Sequence, residues 1–169
     1  RKYPLFKYSE LCFLKAIAIQ LGLASGDAKT EYEAGVRSSM TELGVPESKI
    51  ANYLASTSPN YYGTTAKYDD VTGTNNTPMD KILTQKYIAQ FQECSFETWA
   101  DHRQFHKPTL MPFASVSSSV FNMNPSDQAN NTPNAYIKRI YYPSSEYTVN
   151  EANVKEAEKR MGGSNSIQK

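Results

Sequence analysis

The sequence predicts a mainly α fold of tetratricopeptide-like helix pairs with long irregular loops, and three observations predict it. Apolar residues recur at the i, i+3, i+4 spacing of amphipathic helices in successive segments. Gly and Pro fall where those segments stop, and a short turn joins the first two into an αα-hairpin, the unit of helical solenoids. Between and after the helical runs lie stretches rich in Asn, Ser, Thr and Pro with little periodicity.

The first helix starts at Tyr8, with Tyr8, Leu11, Cys12, Ala16, Ile19 and Leu23 on one face and Gly26 as a left-handed stop. In DAKTEYEAGVRSSMTELGV, Asp27 is an early cap and Thr30-x-x-Glu33 a capping box, with Tyr32, Val36, Met40 and Leu43 along the apolar face. Gly44 stops this helix, and Pro46 prevents its continuation while opening a short third helix with Ile50, Tyr53 and Leu54 inward. The polar loop STSPNYYGTTAKYDDVTGTNNT follows. With about twenty residues, it is longer than a compact domain tolerates unless it serves a function or is mobile.

Helix resumes at Thr77, because Thr77-Pro78-x-Asp80 supplies an N-cap, a proline at the first helical position and an acidic third residue. Met79, Ile82, Leu83, Tyr87 and Phe91 form its stripe. Ser95 caps a further helix carrying Phe96, Trp99 and Arg103, which Pro108 ends. From Thr109 to Thr148 the prolines at 112, 125, 133 and 143 predict irregular structure with at most short strands. A last helix, from about Glu151 to Met161, is capped by Asn150 and closed by Gly162-Gly163. The chain is thus expected to be one region over 1–169: helical 1–55, loop 56–76, helical 77–107, irregular 108–149, C-terminal helix 150–163.

Composition narrows the function. With 169 residues the chain is long enough for one domain with a modest core. Lys and Arg number 18 against 17 Asp and Glu, a net charge of +1, so there is no excess charge to condense on a phosphate backbone and nucleic acid is not an expected partner. The apolar run from Leu11 to Ala24 is broken by Lys15 and Gln20 and falls short of the roughly 20 residues of a bilayer span, so it reads as a core helix. The opening RKYPLFKYSE shows neither an apolar h-region nor an initiator Met, and the chain reads as a piece of something longer. Cys12 and Cys94 read as small buried hydrophobes in preference to a disulfide pair.

No catalytic residue, metal ligand or cofactor is expected. The chain has no Gly-x-Ser-x-Gly, and its two His stand near one helix end. Asp69 and Asp70 are adjacent in a loop, and sequence alone cannot give them the separation that glycoside hydrolysis needs. His102 and His106, four apart, have the spacing of a two-His metal site with Asp101 or Cys94 as a third ligand; a polar helix end is the preferred reading. Trp99 could stack on a sugar, but its setting between Phe96 and Arg103 favours core packing, which makes Gln85–Pro108 bundle interior.

Three runs carry a family resemblance. YPLFKYSELCFLKAIAIQLG with YEAGVRSSMTELGV is similar to a helix pair holding an acidic residue and a G-I-R-x-S run, here Glu10 and Gly35-Val36-Arg37-Ser38-Ser39. KILTQKYIAQFQECSFETWADHRQFHKP is similar to an I-x-x-Q-K-[WY]-I-A helix followed by E-[AT]-W-x-[DE]-x-R, and IKRIYYPSSEYTVNEANVKEAEKRMGG resembles R-x-x-Y-P-x-x-E-x-x-x-N-x-x-N with a closing Gly-Gly. Together and in this order they resemble the C-terminal part of the SusD/RagB family of outer-membrane nutrient-uptake lipoproteins. One departure is His102-Arg103-Gln104-Phe105-His106-Lys107-Pro108, where members often carry R-R-x-G-x-P.

The resemblance implies a SusD-like, non-enzymatic, surface-exposed subunit at the outer membrane, held by an N-terminal lipid anchor absent from this chain. It implies capture of oligosaccharide and delivery to a SusC-like TonB-dependent transporter. Peptide capture within the family, and a tetratricopeptide-like protein-binding scaffold, are the alternatives. In the loop, Tyr61, Tyr62 and Tyr68 among Asn60, Lys67, Asp69 and Asp70 mix flat apolar faces with hydrogen-bonding groups in the way a carbohydrate site does; Asn60, Tyr61, Tyr62, Tyr68 and Asp69 are the candidate ligand residues. The competing reading is that these tyrosines pin the loop to the helices or meet a partner protein. Asn75-Asn76-Thr77 and Asn130-Asn131-Thr132 match the N-glycosylation pattern, which Asn-rich loops often do.

Overall fold

In the computed structural model, which describes residues 5–91, 93–109 and 142–161, every regular element is an α-helix. The chain divides into two units, 1–109 and 110–169.

In the first unit, α1 (Tyr8–Gln20) packs along α2 (Ala28–Glu42), and α4 (Pro78–Ala89) lies against both; α3 (Glu47–Leu54) closes the far side of α2. Their shared core is Phe13, Ala16 and Ile17 of α1, Tyr32 and Val36 of α2, Ile50 and Leu54 of α3, and Ile82 and Leu83 of α4. Gly35 is where α1 and α2 come into close contact. A Cβ there would stand 2.8 Å from the Phe13 ring, so the missing side chain is what lets that ring lie on the α2 backbone.

Helix ends follow local chemistry. Asp27 accepts hydrogen bonds from the amides of Lys29 and Thr30, so α2 starts one residue later. Thr30 lies within the helix and gives its hydroxyl to Asp27 at 2.6 Å, so the expected Thr30–Glu33 capping box does not form. Gly22, not Gly26, terminates α1. It takes φ +71°, with its amide on Ile19 O and that of Leu23 on Ala18 O. Gly44 ends α2 the same way, as the sequence indicates. The Thr77–Asp80 capping box opens α4 with Pro78 at its first position.

Several expectations about burial are corrected: Leu43 and Phe91, expected on the apolar faces of their helices, are exposed, and two further differences are larger. The inward face of α1 is Ser9, Cys12, Phe13, Ala16 and Ile17, while Tyr8, Leu11 and Leu23 are exposed. In the stretch Gln85–Pro108, α4 is interior, with Asp80 through Lys86 all buried, but α5 (Ser95–Phe105) buries none of its residues. Cys94, not Ser95, is the residue at its N-cap. His106 closes it in the left-handed region, two residues before Pro108.

In the second unit, α6 (Ser144–Val149) and α7 (Glu151–Arg160) pack together, with the Tyr147 hydroxyl bonded to Glu158. A helix over Ser144–Val149 replaces the irregular structure expected there. Asn150 separates the two helices, and its side chain binds Glu146 and Asn153 instead of capping an amide. Residues 110–141, Gly162-Gly163 and the second glycosylation match lie outside the described residues. Among the described residues no helix is long and apolar enough to cross a membrane.

Candidate functional site

The 56–77 loop is built on α4 through one buried network. Lys81 is fully buried, and its ammonium donates to the Thr65 carbonyl at 3.0 Å, the Thr65 hydroxyl at 2.6 Å and Asn76 Oδ1 at 2.5 Å. That uses all three of its donors. Asn76, 1% exposed, also accepts from the Thr65 amide at 2.8 Å and donates to the carbonyls of Asp70 and Thr72, each at 2.8 Å. Burial pushes the Lys81 ammonium below the ordinary lysine range, against the pull of Asp70 and Asp80. From the α2 side, the buried Tyr32 hydroxyl donates to Ala66 O at 2.7 Å.

Above this base sits a tight turn. Asn60 Oδ1 accepts from the amides of Tyr62 and Thr64 at 2.9 and 3.0 Å, the side-chain substitute for a backbone turn that Asn makes readily. Gly63 has φ +98°, and a Cβ there would fall 2.5 Å from Thr74 O, so only glycine lets the two legs of the loop cross. Asn75 Nδ2 donates to Tyr62 O at 2.9 Å, and the Thr64 hydroxyl to Asn75 O at 2.6 Å.

The candidate ligand residues divide into two groups. Asn60, Tyr61 and Tyr62 share the turn. Tyr61 is 88% exposed and meets Tyr62 edge to face at 5.0 Å, while the Tyr62 hydroxyl is shielded and has no partner among the described residues. Tyr68 and Asp69 belong to the loop's contact with the helices. Tyr68 is half-buried on Tyr32 at 5.2 Å, its hydroxyl accepts from Gln20 at 2.9 Å, and burial raises its pKa. Asp69 pairs with Lys29. Tyr61 is thus the ring with a face open to a ligand, and Asn60 acts by shaping the turn beneath it.

The aromatic cluster on α5 is arranged differently. Trp99 is half-buried, with the Arg103 guanidinium 4.8 Å from its ring centre and Phe96 at 5.6 Å. His102 is held below the ordinary imidazole range by burial and by His106. Because His106 lies past the last helical residue, the i, i+4 helical face does not extend to it. Among the described residues no group of three His, Cys, Asp or Glu could hold a metal. Lys86 and Asp101 tie α4 to α5, Lys107 pairs with Asp80, and Gln90 links Glu10 at 3.1 Å to Thr98 at 3.3 Å.

Paired helices stacked on one core are the architecture of tetratricopeptide-like folds. The chain belongs to the SusD-like family, described as Susd and RagB outer membrane lipoprotein, whose profile matches residues 1–169. It is similar to a solved SusD homolog from Parabacteroides distasonis, at 39% identity and TM-score 0.80, over 99% of this chain and 32% of that one. A solved chitin-binding protein matches at 26% identity and TM-score 0.65 over 95% of this chain and 31% of that one. A Bacteroidetes SusD-like protein matches at 26% and 0.66 over 92% and 27%. The chain therefore spans about a third of the length of these solved relatives. No curated protein matches it.

Proposed function

We propose that this chain is the C-terminal part of a non-enzymatic, cell-surface glycan-binding subunit. In this reading the subunit is held to the outer membrane by an N-terminal lipid and hands oligosaccharide to a SusC-like TonB-dependent transporter. Tyr61, backed by Tyr62, is part of the surface that meets the sugar. The carrying observation is the Tyr61 ring, 88% exposed on a loop fixed by buried hydrogen bonds. A flat apolar face already held in place can stack on the apolar face of a pyranose without ordering the chain first. Family membership and the chitin-binding relative favour nutrient capture and carbohydrate over a protein-binding scaffold.

The test is calorimetric titration of the full-length protein with soluble chito- and malto-oligosaccharides and with short peptides, repeated for Tyr61→Ala. Sugar binding weakened by about 1 kcal/mol or more in the variant is expected. Sugar binding untouched by the change moves the site off this loop, and binding of peptide alone replaces glycan with peptide as the cargo.

A further inference from the structure

We propose that Lys81 is the positioning residue of the Tyr61–Tyr62 turn: its buried ammonium clamps Thr65 and Asn76, one on each leg of the loop, and so fixes the ring pair before any ligand arrives. The ligand side of this inference rests on the glycan reading above; the clamp itself does not.

The argument begins with what an ammonium at this position costs. Lys81 is fully buried, and among the described residues no carboxylate lies within ion-pair distance of its nitrogen. Asp70 and Asp80 act on it only from beyond contact, and a buried cation with no carboxylate in contact is expensive and is tolerated only where its hydrogen bonds are complete. Here they are complete, and all three acceptors belong to the loop.

A methionine-like side chain would fill the same space without that cost, so the charge serves something other than core packing. What it specifies is register. Thr65 immediately follows the Asn60–Thr64 turn, and Asn76 immediately follows Asn75, which holds Tyr62 O. The Thr65 amide also bonds Asn76 Oδ1, so one oxygen gathers both legs and the ammonium. The lysine projects from a helix whose start is locked by the Thr77–Asp80 box. Lys81 thereby refers both legs of the turn to α4, beside the separate anchor that Tyr32 of α2 makes at Ala66 O.

The experiment is amide hydrogen exchange on the full-length protein for Lys81→Met, Thr65→Val and Thr65→Ser. Exchange of the Tyr62, Thr64 and Thr65 amides is expected to rise at least about tenfold in Lys81→Met and Thr65→Val, with the α2 amides unchanged, since loops open locally below the global unfolding free energy. Thr65→Ser, which keeps the hydroxyl acceptor, is expected to restore the wild-type pattern. Because the Thr65 hydroxyl also bonds Asn76 Oδ1, Lys81→Gln is the second lysine variant should Lys81→Met not fold, and it is expected to accelerate the same amides.

Equal acceleration in the loop and in α2 would overturn the inference by making Lys81 an ordinary core residue, as would an unchanged loop. Titration with a soluble chito-oligosaccharide separates the two readings. If Tyr61→Ala weakens binding and Thr65→Val does not, positioning is refuted while the site stands. If exchange behaves as expected and Tyr61→Ala leaves binding intact, the clamp stands and the site reading falls.

Discussion

Replacing Gly35 by Ala sets two effects of known size against each other. Gly to Ala inside a helix normally stabilises by about 1 kcal/mol, because Ala loses less backbone entropy on folding. At Gly35 the added methyl would stand 2.8, 2.9 and 3.0 Å from Cε1, Cζ and Cδ1 of Phe13, where ordinary carbon contacts need roughly 3.5–4.0 Å. Phe13 is fully buried among Ala16, Ile17, Tyr32 and Val36 and has nowhere to retreat without moving the helix pair apart. Overpacking of this kind costs about 1–3 kcal/mol, and with three ring atoms to displace the upper half of that range applies. The expected net result is a loss of about 1–2 kcal/mol, read as a lower urea midpoint with unchanged slope. In a Phe13→Leu background the ring atoms are gone and the same substitution should turn stabilising, giving a clear coupling between the two sites. Equal stabilisation by Gly35→Ala in both backgrounds would refute the close-approach argument.

Three further outcomes follow from the same packing. Tyr32→Phe removes the bond to Ala66 O and leaves that carbonyl without its partner, so a loss of about 1–2 kcal/mol is expected in urea unfolding. Asp101→Ala strands the Lys86 ammonium, whose side chain is 2% exposed, and should cost about 3 kcal/mol, whereas the double change Lys86→Met/Asp101→Ala should recover much of it. For Asp80, burial pushes the carboxyl up, but the Lys107 ammonium and the Thr77 hydroxyl and amide hold it below its ordinary 3.8. A folded value below the unfolded one gives stability that is present above pH 3.8 and lost as pH falls through the folded value. Asp80→Asn should therefore flatten the acid limb of a stability-against-pH curve, and an unchanged limb would contradict the assignment.

How much of this was legible in the sequence depended on whether the deciding interaction was local. Thr77-Pro78-x-Asp80 and Gly44 mark helix ends by short-range chemistry, and the structure uses them as read. The face of α1 was not legible, because YSELCFLKAIAIQ is apolar nearly all round and a period cannot be chosen without a partner. Phe13 and Ile17 go inward because α2 offers Gly35 and Val36 opposite them, a fact seated some twenty residues away. At the start of α2, Asp27 and Thr30 both suit a cap. Asp27 takes it with two amides and Thr30's own hydroxyl, and that competition is decided by geometry, not by residue type.

The loop was legible as a place and not as a mechanism. Its tyrosines stand out by composition, but nothing local separates Tyr61, which is exposed, from Tyr68, which rests on Tyr32. Asn76 reads as part of a glycosylation pattern, and Lys81 falls outside the helix's apolar stripe. Their roles appear only when residues 65, 76 and 81 meet.

The two buried lysines of α4 explain why this half-polar helix is buried through Asp80–Lys86. Lys86 meets a carboxylate, Asp101, and ties α5 to the helix as a conventional ion pair. Lys81 meets only neutral acceptors, and all of them lie on the loop. An apolar helix would pack the same core at lower cost, but it could not impose direction on the polar groups of the loop's two legs. A cation with three fixed donors can, since a shift of either leg breaks a buried hydrogen bond. Order imposed in advance lowers the entropy lost on binding, the term that most weakens recognition by long loops. In α4, buried polarity is thus spent on conformation, and the exposed Tyr61 is where that expense would be recovered.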